Sequence, residues 1–346
     1  MPKTFAPSLL KWYYKHKRDL PWRRTKDPYR IWVSEMMLQQ TTVTAVIPFY
    51  ERWFQSFPTL DDLAKAELQQ VLKVWQGLGY YARAKNLHKA ANVVRQQHGG
   101  ILPRDPQAVR ALPGFGPYST GSVLSIAYDL PLKIIDANVR RVVMRILARQ
   151  GLADTKQDKA VEEFLHTVFP QKSAGDFNQA LMELGALVCR KEPLCILCPV
   201  NKSCRAFAQG IQDIIPTPKQ RTIKDVSAVI AIIEKQGKFF IQKRPPKGLF
   251  ADLWEFPGGK IEKGESKVRA LAREVKEELN VKVVSSRHLF DVVQFYTQFR
   301  ANLSVFYCKT DQWPRTDSTH KWVGLSALHQ YPMPSGSAKI VDKLKI

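Results

Sequence analysis

The sequence predicts a chain of two domains, in which an all-α domain precedes a smaller α+β domain. Its 346 residues exceed the usual length of a single domain. Apolar residues recur at helical spacing through residues 1–208, whereas alternating apolar residues and a hairpin turn follow residue 225. Between these parts, residues 209–225 are polar and contain Pro216 and Pro218, which is typical of a linker. We therefore predict domains at 1–208 and 226–346.

Helical periodicity marks eight segments of the first domain, and breakers such as Phe57–Pro58 and Gly99–Gly100 separate them. These segments are 29–54, 59–75, 82–98, 106–112, 118–128, 138–148, 156–168 and 177–188. In the second domain we predict strands at 226–234 and 238–243 around Gln236–Gly237, a helix at 266–279, and further strands at 281–284 and 302–308.

A large basic charge, spread over both domains, favours a polyanionic partner. The chain has 53 Lys and Arg against 31 Asp and Glu, a net charge of +22, with about +12 in residues 1–215 and about +10 after them. Nucleic acid is a better match to this charge than a membrane surface. The first residues do not form a signal-peptide pattern, and no run of about 18 apolar residues occurs. We therefore expect a cytoplasmic protein without a membrane partner.

A glycine-rich turn separates two of the predicted helices. Gly114, Gly116 and Pro117 lie within Leu112–Gly121, between apolar-periodic stretches, and predict a helix, a tight turn and a second helix. Backbone amides at the start of such a second helix bind anions, phosphate above all. The alternative is a turn that serves only as a connector.

Four of the five cysteines lie close together in the sequence. They have the spacing C-x5-C-x2-C-x5-C and are Cys189, Cys195, Cys198 and Cys204. Four thiolates at this spacing can converge on a tetrahedral zinc ion or on a [4Fe–4S] cluster, and the spacing does not choose between them. We expect the metal to have a structural role rather than a redox role.

Two acidic residues follow apolar residues in the first domain. Glu35 interrupts an apolar helical face, and Asp136 follows Ile134–Ile135. Carboxylates in apolar surroundings have raised pKa values or specific partners. Such a pair suits a reaction with an oxocarbenium-like transition state, in which one acid protonates the leaving group and the other stabilises the cation. For Glu35 the alternative is a solvated or salt-bridged glutamate. Asp136 is also expected to cap the helix that starts near Asn138.

With these features, residues 1–208 resemble the helix-hairpin-helix DNA glycosylases that carry an iron–sulfur cluster, and among them the adenine DNA glycosylase family. The matching segments are Leu20–Trp22, Asp27–Tyr29, Ser34–Thr41, Gly77–Arg83, the hairpin, Asp136–Val139 and Asn178–Ala180. The resemblance implies that the four cysteines bind a [4Fe–4S] cluster. The first two cysteines are separated by five residues, whereas the family usually has six.

The resemblance also implies roles for individual residues. Glu35 would be the general acid at adenine, Asp136 would stabilise the sugar cation, Tyr118 would position the acid, and Asn138 would support Asp136. The residues that would line the pocket for the extruded adenine are Arg18, Trp22, Arg23, Leu38 and Gln179. Those that would open the duplex are Gln40 and Tyr80, and those at the DNA phosphate are Gly114, Gly116 and Tyr118. Lyase relatives have a nucleophilic lysine at the position of Tyr118, so we predict base removal without strand cleavage.

The second domain contains a nearly complete Nudix box. The pattern runs from Gly259 to Val281, and only Asn280 departs from it by replacing a glycine. Its acidic residues lie three or four positions apart on one predicted helix, where they can share a Mg²⁺ ion that holds a diphosphate; they are Glu274, Glu277 and Glu278. An exposed acidic helix face paired with Arg273 and Lys276 is the alternative.

The domain resembles the 8-oxo-dGTP hydrolases of the MutT type, which implies recognition of 8-oxoguanine. We therefore predict a monomeric, nucleoid-associated enzyme that removes adenine mispaired with 8-oxoguanine, or with guanine, from double-stranded DNA. One alternative is a bifunctional enzyme whose second domain also hydrolyses 8-oxo-dGTP or a related nucleoside diphosphate derivative. Another is a mismatch-binding protein without catalysis.

Overall fold

The computed structural model describes residues 4–218, 223–296 and 299–344, so residues 219–222 of the predicted linker lie outside the described residues. The chain forms two compact units. The first, called here the helical unit, comprises Met1–Ala64 and Lys89–Gln220. The second, called the sheet unit, comprises Lys65–His88 and Arg221–Ile346. Residues 65–88 therefore pack with the C-terminal part of the chain, although the sequence places them among the helices of the first domain.

The helices of residues 4–218 follow one another with short connections. Their bounds are α1 Phe5–His16, α2 Pro28–Leu38, α3 Val43–Ser56, α4 Leu60–Lys65, α5 Leu68–Trp75, α6 Ala82–Gln97, α7 Pro106–Ala111, α8 Pro117–Tyr128, α9 Ala137–Ile146, α10 Asp158–Val168, α11 Ala174–Leu187 and α12 Arg205–Ala208. Single 3₁₀ turns lie at Pro21–Arg23, Thr155–Gln157, Cys195–Leu197 and Asn201–Ser203. The all-α prediction is confirmed for this part of the chain.

Two of the predicted helices are wrong, because each is divided in the structure. Segment 29–54 breaks between α2 and α3, where Gln40 has a φ of 57°. No glycine or proline marks that break in the sequence. Segment 59–75 breaks before α5, where the side chains of Glu67 and Gln70 form a reciprocal capping box.

The core of the helical unit positions the helices that carry the acidic residues. Phe5 of α1 packs edge-on against Phe164 of α10 and Phe177 of α11, with ring centroids 5.4 and 6.5 Å apart. Helix α8 packs against both α2 and α11. Gly175 allows the close approach of α11 to α8, because a Cβ atom there would lie 2.3 Å from the Ser125 carbonyl oxygen. Buried Asn178 then joins the two helices through Ser125 Oγ, at 2.9 Å.

The sheet unit is built around a mixed seven-stranded sheet of order β3-β2-β1-β6-β5, in which β4 also pairs with β1 and β7 with β2. The strands are β1 Lys224–Lys235, β2 Lys238–Lys243, β3 Trp254–Glu255, β4 Gly258–Lys260, β5 Val283–Phe295, β6 Phe299–Thr310 and β7 His320–Gly324. Strands β1 and β6 are parallel, and the other pairs are antiparallel.

Both faces of β1 are buried, so the sheet has a core on each side. Val229, Ala231 and Ile233 pack against helix α13, Lys267–Leu279, which begins after the capping residue Ser266. Ile230 and Ile232 alternate with them and contribute to the opposite core, which includes Ile340 and Val341 of helix α14, Ser335–Lys343. The Nudix-box helix is therefore anchored by its apolar face, and its acidic face remains available. Within the described ranges, no helix has the length and apolarity needed to cross a membrane.

Candidate active site

Glu35 is a buried carboxyl on helix α2. The helix begins at Pro28 and is capped by the Asp27 side chain, and Glu35 lies on the side that packs against α8. Only 5% of Glu35 is exposed. Burial raises its pKa, and the nearby Asp136 charge adds to this, although hydrogen bonds with Ser122 and Tyr118 act in the opposite direction. Glu35 is therefore suited to hold a proton that a solvent-exposed glutamate would lose.

Tyr118 brings the hairpin to this carboxyl. It is the second residue of α8, and its phenolic Oη donates a hydrogen bond to Glu35 Oε2 at 3.1 Å. Burial and the neighbouring carboxylates raise the pKa of Tyr118 well above its ordinary value, so the phenol keeps its proton. The Sδ atom of Met182 lies 3.5 Å from Tyr118 Oη.

Asp136 is fixed at the start of helix α9. One oxygen, Oδ1, accepts the backbone N–H of Val139 at 2.6 Å, and the other accepts Asn138 Nδ2 at 2.9 Å. Asp136 thus caps the helix, and the helix N-terminus favours its negative charge. Since its charge raises the pKa of both Glu35 and Tyr118, the structure brings these residues into one electrostatic site.

Arg141 connects this site to the cysteine segment. Its Nη2 donates to Asn138 Oδ1 and to the Gly185 carbonyl, both at 2.9 Å, and its Nε donates to the Cys189 carbonyl at 2.9 Å. Gly185 permits this packing, because a Cβ atom there would lie 2.6 Å from Asn138 Cβ. The Asn138 side chain that supports Asp136 is therefore itself held in place.

Two of the predicted pocket residues converge on Glu183 of α11. Arg18 donates through Nε and Nη2 at 2.8 Å, and Arg23 donates through Nη1 and Nη2 at 3.0 and 2.7 Å. Burial alone would raise the pKa of Glu183, but these two guanidinium groups outweigh it and lower the pKa to about 2. The carboxylate therefore stays ionised and fixes both arginines in one arrangement.

The other predicted pocket residues lie in different environments. Trp22 is buried with its ring centroid 5.4 Å from that of Tyr50, Gln179 is buried on α11, and Leu38 is the half-buried last residue of α2. Gln40 is exposed in the helical unit. Tyr80 is 37% exposed and belongs to the sheet unit.

The hairpin has the predicted glycine-rich geometry. Gly114 has a φ of 82°, a conformation that favours glycine, and Gly116 is the capping residue of α8. The Gly116 amide donates to Ser119 Oγ at 2.7 Å. A phosphate bound at this amide would therefore take the place of an internal hydrogen bond.

The four clustered cysteines line one cavity. Val142, Arg145 and Ile146 contribute to its walls together with the cysteines, which are Cys189, Cys195, Cys198 and Cys204. Arg145 donates to Cys189 Sγ at 3.3 Å, and burial raises the pKa of Cys198 to about 12. Across 4–218, 223–296 and 299–344, no three or more His, Cys, Asp or Glu side chains form a group arranged to hold a metal ion. The donor set itself, four sulfur atoms facing one largely apolar space, suits iron or zinc.

The Nudix-box acids lie around Gly258 and Gly259. Glu278 Oε2 accepts the Gly258 N–H at 2.8 Å, and burial raises the pKa of Glu278 to about 7. A Cβ atom at Gly259 would lie 2.3 Å from the Glu274 carboxylate, so only glycine fits beneath it. Arg273 donates to Glu274 at 2.9 Å and to Glu277 at 3.3 Å.

Asn280, the one departure from the box, ends helix α13. Its φ of 56° lies in the left-handed region that glycine and asparagine adopt at helix ends. Lys276 Nζ donates to its Oδ1 at 2.7 Å. Asn280 therefore ends the helix in the conformation that a glycine would adopt there.

Comparisons with known proteins agree with this architecture. Residues 33–171 match the model of the HhH-GPD superfamily of base excision DNA repair proteins, and residues 228–343 match that of the NUDIX domain. The adenine DNA glycosylase of Mus musculus is 32% identical, in an alignment that covers 90% of this chain and 72% of that protein. The chain belongs to the adenine DNA glycosylase family. Its relative from Buchnera aphidicola (strain APS) is 31% identical, covering 85% of this chain and 83% of that protein.

Solved structures support the fold of this adenine DNA glycosylase family member. A thermostable thymine-DNA glycosylase is 30% identical, with a TM-score of 0.54, and the match covers 60% of this chain and 96% of that one. A non-covalent endonuclease III–DNA complex matches with a TM-score of 0.51 at 22% identity, which shows the fold alone. The chain is a DNA N-glycosylase with an N-terminal helical domain of the endonuclease III type and a C-terminal Nudix domain. Enzymes of this family commonly bind a [4Fe–4S] cluster.

Sequence reasoning missed three residues of this site. Glu183 is the one acidic residue of the predicted helix 177–188 and has apolar neighbours, which is the same signal that singled out Glu35. Ser122 and Arg141 carried no such signal, because their importance depends on partners that only the fold brings close.

We expect Glu183→Gln to lower the free energy of unfolding at pH 7 by about 3 kcal/mol, because Arg18 and Arg23 would lose their shared buried anion. The pKa of Glu183 is about 2 in the folded chain and about 4.3 in an unfolded one. The contribution of the ionised Glu183 to the free energy of unfolding is therefore complete above about pH 5 and is lost as the pH falls toward 2. Urea unfolding at pH 7 and pH 3 measures this.

In that experiment the difference between Glu183→Gln and the wild type should shrink at pH 3. The exposed ion pair of Asp19 and Arg24 provides the control, and Asp19→Asn should leave stability nearly unchanged at both pH values. An equal loss at pH 7 and pH 3 would contradict the assigned ionisation.

Proposed function

We propose that this enzyme removes adenine mispaired with 8-oxoguanine, or more weakly with guanine, from double-stranded DNA, acting as a monomer and without cutting the strand. The observation that carries the proposal is the buried Glu35 carboxyl, bonded to Tyr118 at 3.1 Å and within the field of the helix-capping Asp136. The net charge of +22 supports a DNA partner.

The two carboxyl groups would perform different parts of the reaction. Glu35, whose pKa is raised by burial, would transfer a proton to a ring nitrogen of adenine, and the glycosidic bond breaks as electrons move to the base. The sugar becomes an oxocarbenium ion, which the ionised Asp136 stabilises. Water then adds its oxygen to the anomeric carbon, and its released proton returns to Glu35.

The base must leave the duplex before Glu35 can reach it. We propose that the adenine pocket is lined by Arg18, Trp22, Arg23, Leu38 and Gln179. Among the described residues, the buried Arg23 Nε has no hydrogen-bond acceptor, so it is available to a bound base. Gln40 and Tyr80 would open the duplex, while the hairpin at Gly114, Gly116 and Tyr118 would hold the DNA phosphate.

We propose that Cys189, Cys195, Cys198 and Cys204 hold a [4Fe–4S] cluster, since they line one cavity and Arg145 supplies a hydrogen bond to Cys189 Sγ. The cluster would act as a structural crosslink. Through Arg141 the same segment supports Asn138 and thus Asp136.

Tyr118 supplies no amine, so a Schiff base with the sugar cannot form at that position.

We expect Glu35→Gln to slow adenine release from duplex DNA by about 10²–10⁴-fold, because the amide cannot donate the proton. The wild-type rate should fall as the pH rises through the raised pKa of Glu35, and the variant should lose this dependence. Single-turnover release measures both effects.

Glu163→Gln, an exposed change on α10, should release adenine at the wild-type rate. Adenine release by Glu35→Gln at the wild-type rate would contradict the assignment of Glu35 as the acid. Tight binding of duplex DNA by the wild type, without adenine release, would indicate a mismatch-binding protein.

We expect adenine release to be fastest opposite 8-oxoguanine, slower opposite guanine, and slowest opposite cytosine and thymine. The products should contain an intact strand with an abasic site. Single-turnover assays on the four duplexes, with and without alkaline cleavage and with borohydride trapping, measure preference and lyase activity together. A trapped covalent complex, or equal rates on all four duplexes, would contradict the proposal.

A second activity is favoured by the Nudix box of the sheet unit. Glu278 is held by the Gly258 amide with a pKa of about 7, and Glu274 lies against Gly259. We propose that these residues and Glu277 bind Mg²⁺, which would position a nucleoside diphosphate derivative such as 8-oxo-dGTP for hydrolysis.

We expect the full-length protein with Mg²⁺ to release phosphate products from 8-oxo-dGTP, and Glu277→Gln to reduce this turnover at least tenfold by removing one metal ligand. The exposed Glu162→Gln provides the matched control, which should keep the wild-type rate. Turnover in the wild type no higher than in Glu277→Gln would reject this second activity and leave the adenine assignment intact.

A further inference from the structure

The turn Gly77–Tyr81, which joins α5 to α6, contains one residue, Tyr80, in a backbone conformation that its residue type does not favour. Gly77, Gly79 and Tyr80 have φ angles of 105°, 72° and 48°. A tyrosine rarely adopts such a positive φ, so contacts elsewhere must hold Tyr80 there. Within the turn, Trp75 Nε1 and Arg83 Nη2 donate to the Gly79 carbonyl at 3.0 and 3.1 Å.

Gln76, just before the turn, and Tyr81, its last residue, both bind the backbone of Met333. Gln76 Oε1 accepts the N–H of Met333 at 3.2 Å, and Tyr81 Oη donates to the Met333 carbonyl at 3.3 Å. Tyr81 and Met333 are both buried. Tyr80, between these attachment points, keeps 37% of its surface exposed.

The helices beside the turn bind a second C-terminal segment. Gln69 of α5 donates to the Asp252 carbonyl at 3.1 Å and accepts Trp254 Nε1 at 3.0 Å. Lys85 of α6 forms an ion pair with the Asp252 carboxylate and donates to the Pro246 carbonyl at 3.1 Å. The Lys85 and Asp252 side chains are only 15% and 13% exposed, so this ion pair is shielded from solvent.

We propose that these C-terminal contacts form a clamp, made of Asp252, Trp254 and Met333 with Gln69, Gln76, Tyr81 and Lys85, that holds Tyr80 ready to enter the DNA. The proposal rests on the proposed function. Inserting a wedge into a duplex requires unstacking of bases. A side chain whose backbone is already fixed loses less conformational freedom on insertion than a mobile one. The members of the clamp are positioning residues, which act on the reaction through Tyr80.

This clamp assigns the C-terminal domain a task that does not depend on reading the opposite base. Loss of the clamp would weaken Tyr80 insertion whichever base faces the adenine. We therefore expect clamp variants to slow adenine release opposite 8-oxoguanine and opposite guanine by similar factors. A variant that affects only lesion recognition would instead change the ratio of these two rates.

The test uses Lys85→Met, which keeps the apolar stem and removes the charge, and Tyr81→Phe, which removes one hydroxyl. In the full-length protein without DNA, we expect hydrogen exchange of the Gly77–Tyr81 amides to increase at least tenfold in both variants. Single-turnover adenine release should fall about tenfold. The control is Arg95→Met, also on helix α6, which removes the exposed ion pair between Arg95 and Asp61 of α4. It should change neither the hydrogen exchange of the turn nor the rate of adenine release.

A double-mutant cycle distinguishes positioning from general damage. Tyr80→Ala combined with Lys85→Met should be no slower than Tyr80→Ala alone, because the clamp acts only through Tyr80. Rates that multiply, or exchange of the turn that stays at the wild-type level, would overturn the proposal. Hydrogen exchange requires no activity, so it still decides the proposal if the wild type fails to release adenine.

Discussion

The packing of α8 against α2 is the constraint on which the proposed catalytic site depends. It buries Glu35, brings the Tyr118 hydroxyl within 3.1 Å of its carboxyl, and makes the pKa of Glu35 higher than that of an exposed glutamate. Helix α8 also packs closely against α11, since Gly175 lets the two helices approach each other. The raised pKa of Glu35 therefore originates in close helix packing.

Two buried glutamates of the helical unit, Glu35 and Glu183, have pKa values shifted in opposite directions. Glu35 lacks a basic partner close enough to outweigh its burial, whereas Glu183 has two arginines and ionises fully, with a pKa of about 2. Both acids lie on largely apolar helices, so similar sequence surroundings give a raised pKa at Glu35 and a lowered pKa at Glu183. The neighbouring cations, not the residue type, decide which role follows.

Local signals in the sequence predicted much of the fold. Gln236–Gly237 marked the hairpin of β1 and β2, where the two residues have φ angles of 50° and 73°, and Ser266 marked the start of α13. The break between α2 and α3, at Gln40, had no such signal. Neither the partners of Glu183, 160 and 165 positions away, nor the packing of residues 65–88 with the C-terminal unit could be predicted from local patterns.

The membership of residues 65–88 in the sheet unit also bears on how the chain is made. This segment leaves the ribosome well before Asp252, Trp254 and Met333, which it binds and which lie 167 to 257 positions further along the chain. Domains usually fold as units in the order of synthesis. Here residues 65–88 cannot complete their native contacts until Asp252, Trp254 and Met333 have also been synthesised. Completion of the sheet unit therefore waits for its later residues, although residues 65–88 are made before most of the helical unit.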